Sequence, residues 1–165
     1  MNNKKINWKL ILSWILVIMW AGVIFYLSSK TAAESTVQSR EVIGSFTRIL
    51  GTVITDEALL TDIDGIVRET AHGIEYLILS VLLFTALYQT FKHKGSKRNL
   101  IKDGALYTVT VAFLYALSDE IHQIPIPGRT FQLLDLAIDF TGIAVGTAIT
   151  AYVIKIITSK KKSDE

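Results

Sequence analysis

Apolar residues come in long blocks along this chain, separated by short polar connections. From Trp8 to Leu27 there is a run of about 20 apolar residues broken only by Ser13. Such a run spans a hydrocarbon core of roughly 30 Å. A secretory signal core is shorter, about 7–15 residues, so the block reads as a retained anchor rather than a leader cleaved near Thr31-Ala32-Ala33. Three further blocks, 66–91, 104–124 and 131–157, pass the same length test. The pattern predicts an all-α integral membrane protein, a four-transmembrane-helix bundle with spans at 8–27, 66–91, 104–124 and 131–157, forming one domain over 1–165.

The first long connection has a pattern of its own. Val42, Phe46, Ile49, Leu50 and Val53 recur at i, i+4, i+7, i+8 and i+11, one stripe of a helix, with Arg40, Glu41, Ser45 and Arg48 mostly off it. An amphipathic helix within 34–55, lying on the membrane surface, is expected. It would either cover a site below or only pack on its neighbours. Asp62-x-Asp64-Gly65 lacks the remaining ligands of a calcium loop; Thr61 as a helix cap, with Asp64 three residues on, accounts for it better.

Charge sets the orientation. Half of the chain is hydrophobic and only 19% is charged, and the net +2 hides an uneven distribution. Lys4, Lys5 and Lys9 open the first block; Lys92, Lys94, Lys97, Arg98 and Lys102 fill the middle connection; Lys155, Lys160, Lys161 and Lys162 close the chain. The 30–65 connection instead carries Glu34, Glu41, Asp56, Glu57, Asp62 and Asp64. The excess of Lys and Arg on cytoplasmic loops puts both termini and the middle loop in the cytoplasm, and the amphipathic segment in the first extracellular loop. No basic stripe with interleaved aromatics is present, which argues against nucleic-acid binding. Cysteine is absent, excluding disulfides, thiolate nucleophiles and thiolate metal sites.

Within the blocks, ionisable residues recur at helical spacing. Arg68, His72 and Glu75 stand at i, i+4 and i+7, on one helix face. Glu75 would lie roughly 14 Å below the outer end of its span. Ser118-Asp119-Glu120-Ile121-His122-Gln123 ends the third block; Asp119, His122 and Gln123 share a face and Glu120 points elsewhere. Asp135 and Asp139, again i and i+4, fall roughly 6 and 12 Å below the outer end of the fourth. Arg129 sits in the turn between them. An ionised acid at a helix centre costs roughly 2.5–3.5 kcal/mol on insertion scales. Several at one level must therefore face each other or a wet cavity. Gly142 and Gly146 continue the Asp135–Asp139 face as a GxxxG that permits close helix approach.

These residues resemble the VanZ family of bacterial membrane proteins. The most specific match is Ser118-Asp119-Glu120-x-His122-Gln123, followed by Arg129 and by Asp135-x-x-x-Asp139-x-x-Gly142-x-x-x-Gly146; His72-x-x-Glu75-Tyr76 and Phe25-x-x-Ser28-Ser29 match too. The family is named for a protein associated with low-level resistance to the lipoglycopeptide teicoplanin. The resemblance therefore implies a multi-pass protein of the bacterial cytoplasmic membrane with a role at the cell envelope.

Three functions suit such a cluster. One is an enzyme acting on a lipid or lipid-linked wall precursor, with His72, Glu75, Asp119, Glu120, His122, Asp135 and Asp139 as candidate acids and bases. Arg68, Ser118, Gln123 and Arg129 would then bind substrate, the arginines holding a phosphate or carboxylate. Another is binding of a membrane lipid, wall precursor or glycopeptide without chemistry. The last is transport with titration of the same groups, for which four helices would have to assemble as a homo-oligomer. No motif requires a cofactor; the carboxylates and imidazoles suit a divalent metal.

Overall fold

In the computed structural model the described residues are 7–95 and 99–163, the last three of these by backbone alone. Lys4, Lys5, Lys97 and Arg98 of the charge pattern lie outside them, as do the side chains of Lys161 and Lys162. Among the described residues there are five helices and no strand: α1 (Trp8–Ser28), α2 (Ala32–Leu50), α3 (Glu57–His93), α4 (Leu100–Gln123) and α5 (Leu133–Ser163). Four of them, all but α2, are long and apolar enough to cross a membrane. Large apolar side chains stand exposed along α1, including Leu12, Leu16, Ile18 and Met19. A soluble protein would hide such a belt; here it is the surface presented to lipid.

The central helix is α3, which touches all four others. Its closest neighbour is α5, because glycines remove the side chains between them. A Cβ at Gly142 would run into the carbonyl oxygen of Gly73, and one at Gly146 into the Ser80 hydroxyl and the Leu77 carbonyl. This is the contact that the GxxxG spacing anticipates. Around it Ile24, Tyr76, Leu79, Leu83, Ala112, Ala116 and Ile143 form the buried core, the small α4 residues letting that helix approach.

Two expectations are corrected. The second span was expected to begin at Ile66, after a Thr61 cap. Instead α3 begins nine residues earlier, capped by Asp56, whose carboxylate accepts from the backbone N–H of Ala58 (2.9 Å) and Leu59 (3.4 Å). Thr61 is inside the helix and donates to the Glu57 carbonyl. At about 1.5 Å per residue, 37 residues reach roughly 55 Å, well beyond a hydrocarbon core of about 30 Å.

The extra turns of α3 carry α2. A capping box starts α2: Thr31 accepts from the Glu34 N–H, and the Glu34 carboxylate accepts from the Thr31 backbone N–H, which holds that carboxyl below its ordinary range. Gly51 at φ 66° ends it, so Val53 falls past the helix and the helical stripe stops at Leu50. That shortening of the stripe is the second correction; the packing of α2 uses a different face. Ser39 and Ile43 are buried, Ser39 donating to buried Asp64 of α3, while an exposed Arg40–Glu57 pair (3.4 Å) lies further along. Val42, Phe46, Ile49 and Leu50 remain exposed, Ile49 at 81%.

Candidate functional site

One end of the bundle gathers the polar residues. There α1 and α4 finish, α5 begins, and α3 passes by. The α4–α5 turn is pinned in two places. Its Pro127 carbonyl accepts from the Ala32 N–H at the start of α2 (3.2 Å), and Arg129 donates through Nε to the Lys30 carbonyl (3.4 Å). Gly128 is required at the crossing: it adopts φ 76°, and a Cβ there would press on Ala32.

From α4, Gln123 donates through Nε2 to the Ser28 hydroxyl of α1 (2.9 Å) and to Asp119 Oδ2 (3.4 Å), all three buried. One position on, Glu120 does face elsewhere than Asp119, yet it is also buried. It points towards the start of α5 and accepts from the Gln132 N–H (3.1 Å). His122 stacks on Phe25 with ring centroids 4.5 Å apart, and its Nε2 lies 3.2 Å from the Ser29 hydroxyl. Ser118 stands apart: it is exposed and its hydroxyl turns back to the Tyr115 carbonyl.

From α3, His72 faces α5, with Nδ1 4.0 Å from Asp139 Oδ1; the Asp139 side chain is 1% exposed. That distance is too long for a hydrogen bond. Asp135 lies a turn before it, half-buried in the first turn of α5. Arg68, His72 and Glu75 line a cavity of about 200 Å³ together with Arg129, under a wall formed by Ser35, Gln38, Ser39 and Val42 of α2. Burial and the neighbouring Arg68 guanidinium weaken the hold of Arg129 on its proton, while Asp135, Asp119 and Glu120 act the other way.

Sequence reasoning did not single out four residues here. Ser28 latches α1 to Gln123. Ser29 meets His122. Trp20 donates to the Glu75 carbonyl (2.9 Å), fixing the helix turn that carries the acid. Tyr76 is fully buried, its ring 6.3 Å from that of Tyr115. The Phe25-x-x-Ser28-Ser29 and Glu75-Tyr76 segments carried a signal for three of these; Trp20, in a uniformly apolar block, gave none.

Arg68 Nε, His72 Nδ1, the Tyr76 hydroxyl, Asp119 Oδ1, Glu120 Oε1 and both Asp139 oxygens are buried without a protein hydrogen-bond partner. Natural proteins satisfy nearly all such atoms, and in a bilayer the incentive is larger. A set of them at one place marks a site shaped for something other than packing. As for a metal, among the described residues no three His, Asp or Glu converge closely enough to hold an ion. The arrangement instead offers guanidinium donors beside an imidazole and several carboxylates, a combination suited to holding an anionic group and moving a proton near it.

The VanZ/LLP1 family pattern matches residues 13–155. The chain belongs to that family. The VanZ/LLP1 match encloses every candidate site residue, from Arg68 to Asp139. Neither a curated protein nor a solved structure matches the chain.

Proposed function

We propose that this VanZ/LLP1 protein acts at the bacterial cell envelope, in the cytoplasmic membrane, taking a lipid or lipid-linked wall precursor from the outer leaflet into its polar site. The observation that carries this reading is the cavity that joins Arg68, Arg129, His72 and Glu75 beside buried Asp139. The arginines hold the anionic head, and the imidazole and carboxylates exchange a proton with it. Orientation follows from charge. Lys92, Lys94, Lys102, Lys155 and Lys160 lie towards the end of the bundle opposite the site, which supports that end and both termini being cytoplasmic and the site facing outward. Altering such a precursor, or access to it, would lower susceptibility to a lipoglycopeptide such as teicoplanin.

The test compares membrane lipids and wall precursors by mass spectrometry in a deletion strain carrying either the wild type or the Asp119→Asn, His122→Ala double variant. A mass change present only with the wild type is the expected result and names the reaction. Unchanged masses, with teicoplanin susceptibility still separating the strains, would replace catalysis by binding. No difference of either kind would sink the proposal.

A further inference from the structure

The cavity is not closed on all sides. Its polar wall is Arg68, His72, Glu75 and Arg129, and its apolar edge includes Leu27 at the end of α1 and Val42 on α2. A shallow trough runs on along α2 past Phe46 and Ile49, and it shares Gln38 and Val42 with the cavity. Phe46 and Ile49 are 63% and 81% exposed, because α2 packs on α3 through Ser39 and Ile43 instead. From Val42 to Ile49 the trough extends about 10 Å along the helix. The charged pocket thus adjoins a trough in which Val42, Phe46 and Ile49 form an apolar side, with Glu41 and Ser45 also lining it.

We infer that the ligand is an amphiphile with a phosphate head, which enters sideways between α1 and α2, sets its phosphate against Arg68 and Arg129, and lays the first part of its chain along Val42, Phe46 and Ile49. The inference rests on the proposed envelope role and adds to it the head chemistry and the entry route. Two half-buried guanidiniums lining one cavity, Arg68 with its Nε unpaired, form a bidentate donor set for a tetrahedral anion. Asp135 lies near enough to both arginines to feel their charge, and a phosphate, with more than one negative oxygen, would draw on them more strongly than a single carboxylate. The apolar strip has the matching role: it contacts hydrocarbon and supplies affinity in proportion to the area covered.

The whole chain, in nanodiscs of phosphatidylcholine, should be titrated with a long-chain phosphate monoester, with the corresponding uncharged alcohol, and with inorganic phosphate, binding being read by native mass spectrometry. Long-chain phosphate should bind at least tenfold more tightly than either partial probe. The Arg68→Gln, Arg129→Gln double variant should lose at least tenfold, and the Lys versions should recover part of it, which separates charge from folding. Phe46→Glu should weaken the long-chain phosphate and leave inorganic phosphate unchanged. If inorganic phosphate binds as tightly as the amphiphile and Phe46→Glu has no effect, the side entry and the chain strip are wrong, while an anion site in the proposed role survives. If wild type and arginine variants bind none of the probes, the phosphate reading is wrong altogether. The lipid and precursor comparison above then judges the envelope role separately.

Discussion

Asp139→Asn, or Glu75→Gln, is expected to abolish activity, by at least about a hundredfold, without lowering membrane abundance or stability. Each change keeps the shape of the side chain and removes only the ability to carry charge and exchange a proton. Asp139 is buried among α3, α4 and α5, faces His72 at 4.0 Å, and has no hydrogen-bond partner on either oxygen. An amide of the same shape removes any cost of charging the group inside the bundle and breaks no hydrogen bond, so thermal stability in detergent should stay level or rise. That divergence of activity and stability separates a working site from a merely structural contact. Lys155→Ala, exposed on the far part of α5, should leave both quantities unchanged. Full activity in either acid variant at matched abundance would remove the site from the account.

Gly146→Leu should have the largest structural effect of any single change on the bundle. The methyl of an alanine there would already strike the Ser80 hydroxyl and the Leu77 carbonyl, and the second of these is helix backbone that cannot rotate away. A leucine forces α5 off α3. Overpacking of this kind costs about 1–3 kcal/mol where side chains can adjust, and more where backbone must move. The same movement separates His72 from Asp139, so activity should fall along with the melting temperature in detergent. Gly22 is the control. Nothing lies within 4 Å of a Cβ there, so Gly22→Ala should be neutral or slightly stabilising. A Gly146→Leu protein of wild-type stability would contradict the close α3–α5 packing.

Much of this was legible because a bilayer leaves sequence few options. Twenty apolar residues in a row form a helix, and acids placed at the same level of several helices must meet. The GxxxG contact follows from spacing; the His72–Asp139 approach needed the structure. So did the start of α3. Glu57, Asp62 and Asp64 read as a polar connection, and only the docking of α2, with Ser39 reaching Asp64, turns those residues into helix. For the same reason periodicity located the α2 stripe and gave no sign of which side packs on protein. A stripe of Val, Phe and Ile signals an apolar face, but the polar Ser39 is what touches protein. Glu120 shows a third limit. Residues 119 and 120 project from the helix about 100° apart. Both are buried because α1 and α5 close on α4 from different sides.

The claim on which the rest depends is that the polar end of the bundle faces outward. The chain has no cysteine, so single cysteines report cleanly. Thr130→Cys, in the turn beside Arg129, and His93→Cys, exposed at the end of α3 on the opposite side, can be tested with a membrane-impermeant maleimide. Thr130→Cys should react in intact cells and His93→Cys only after permeabilisation. Labelling in the reverse order would place the site towards the cytoplasm, where no outer-leaflet lipid could reach it, and would contradict the account.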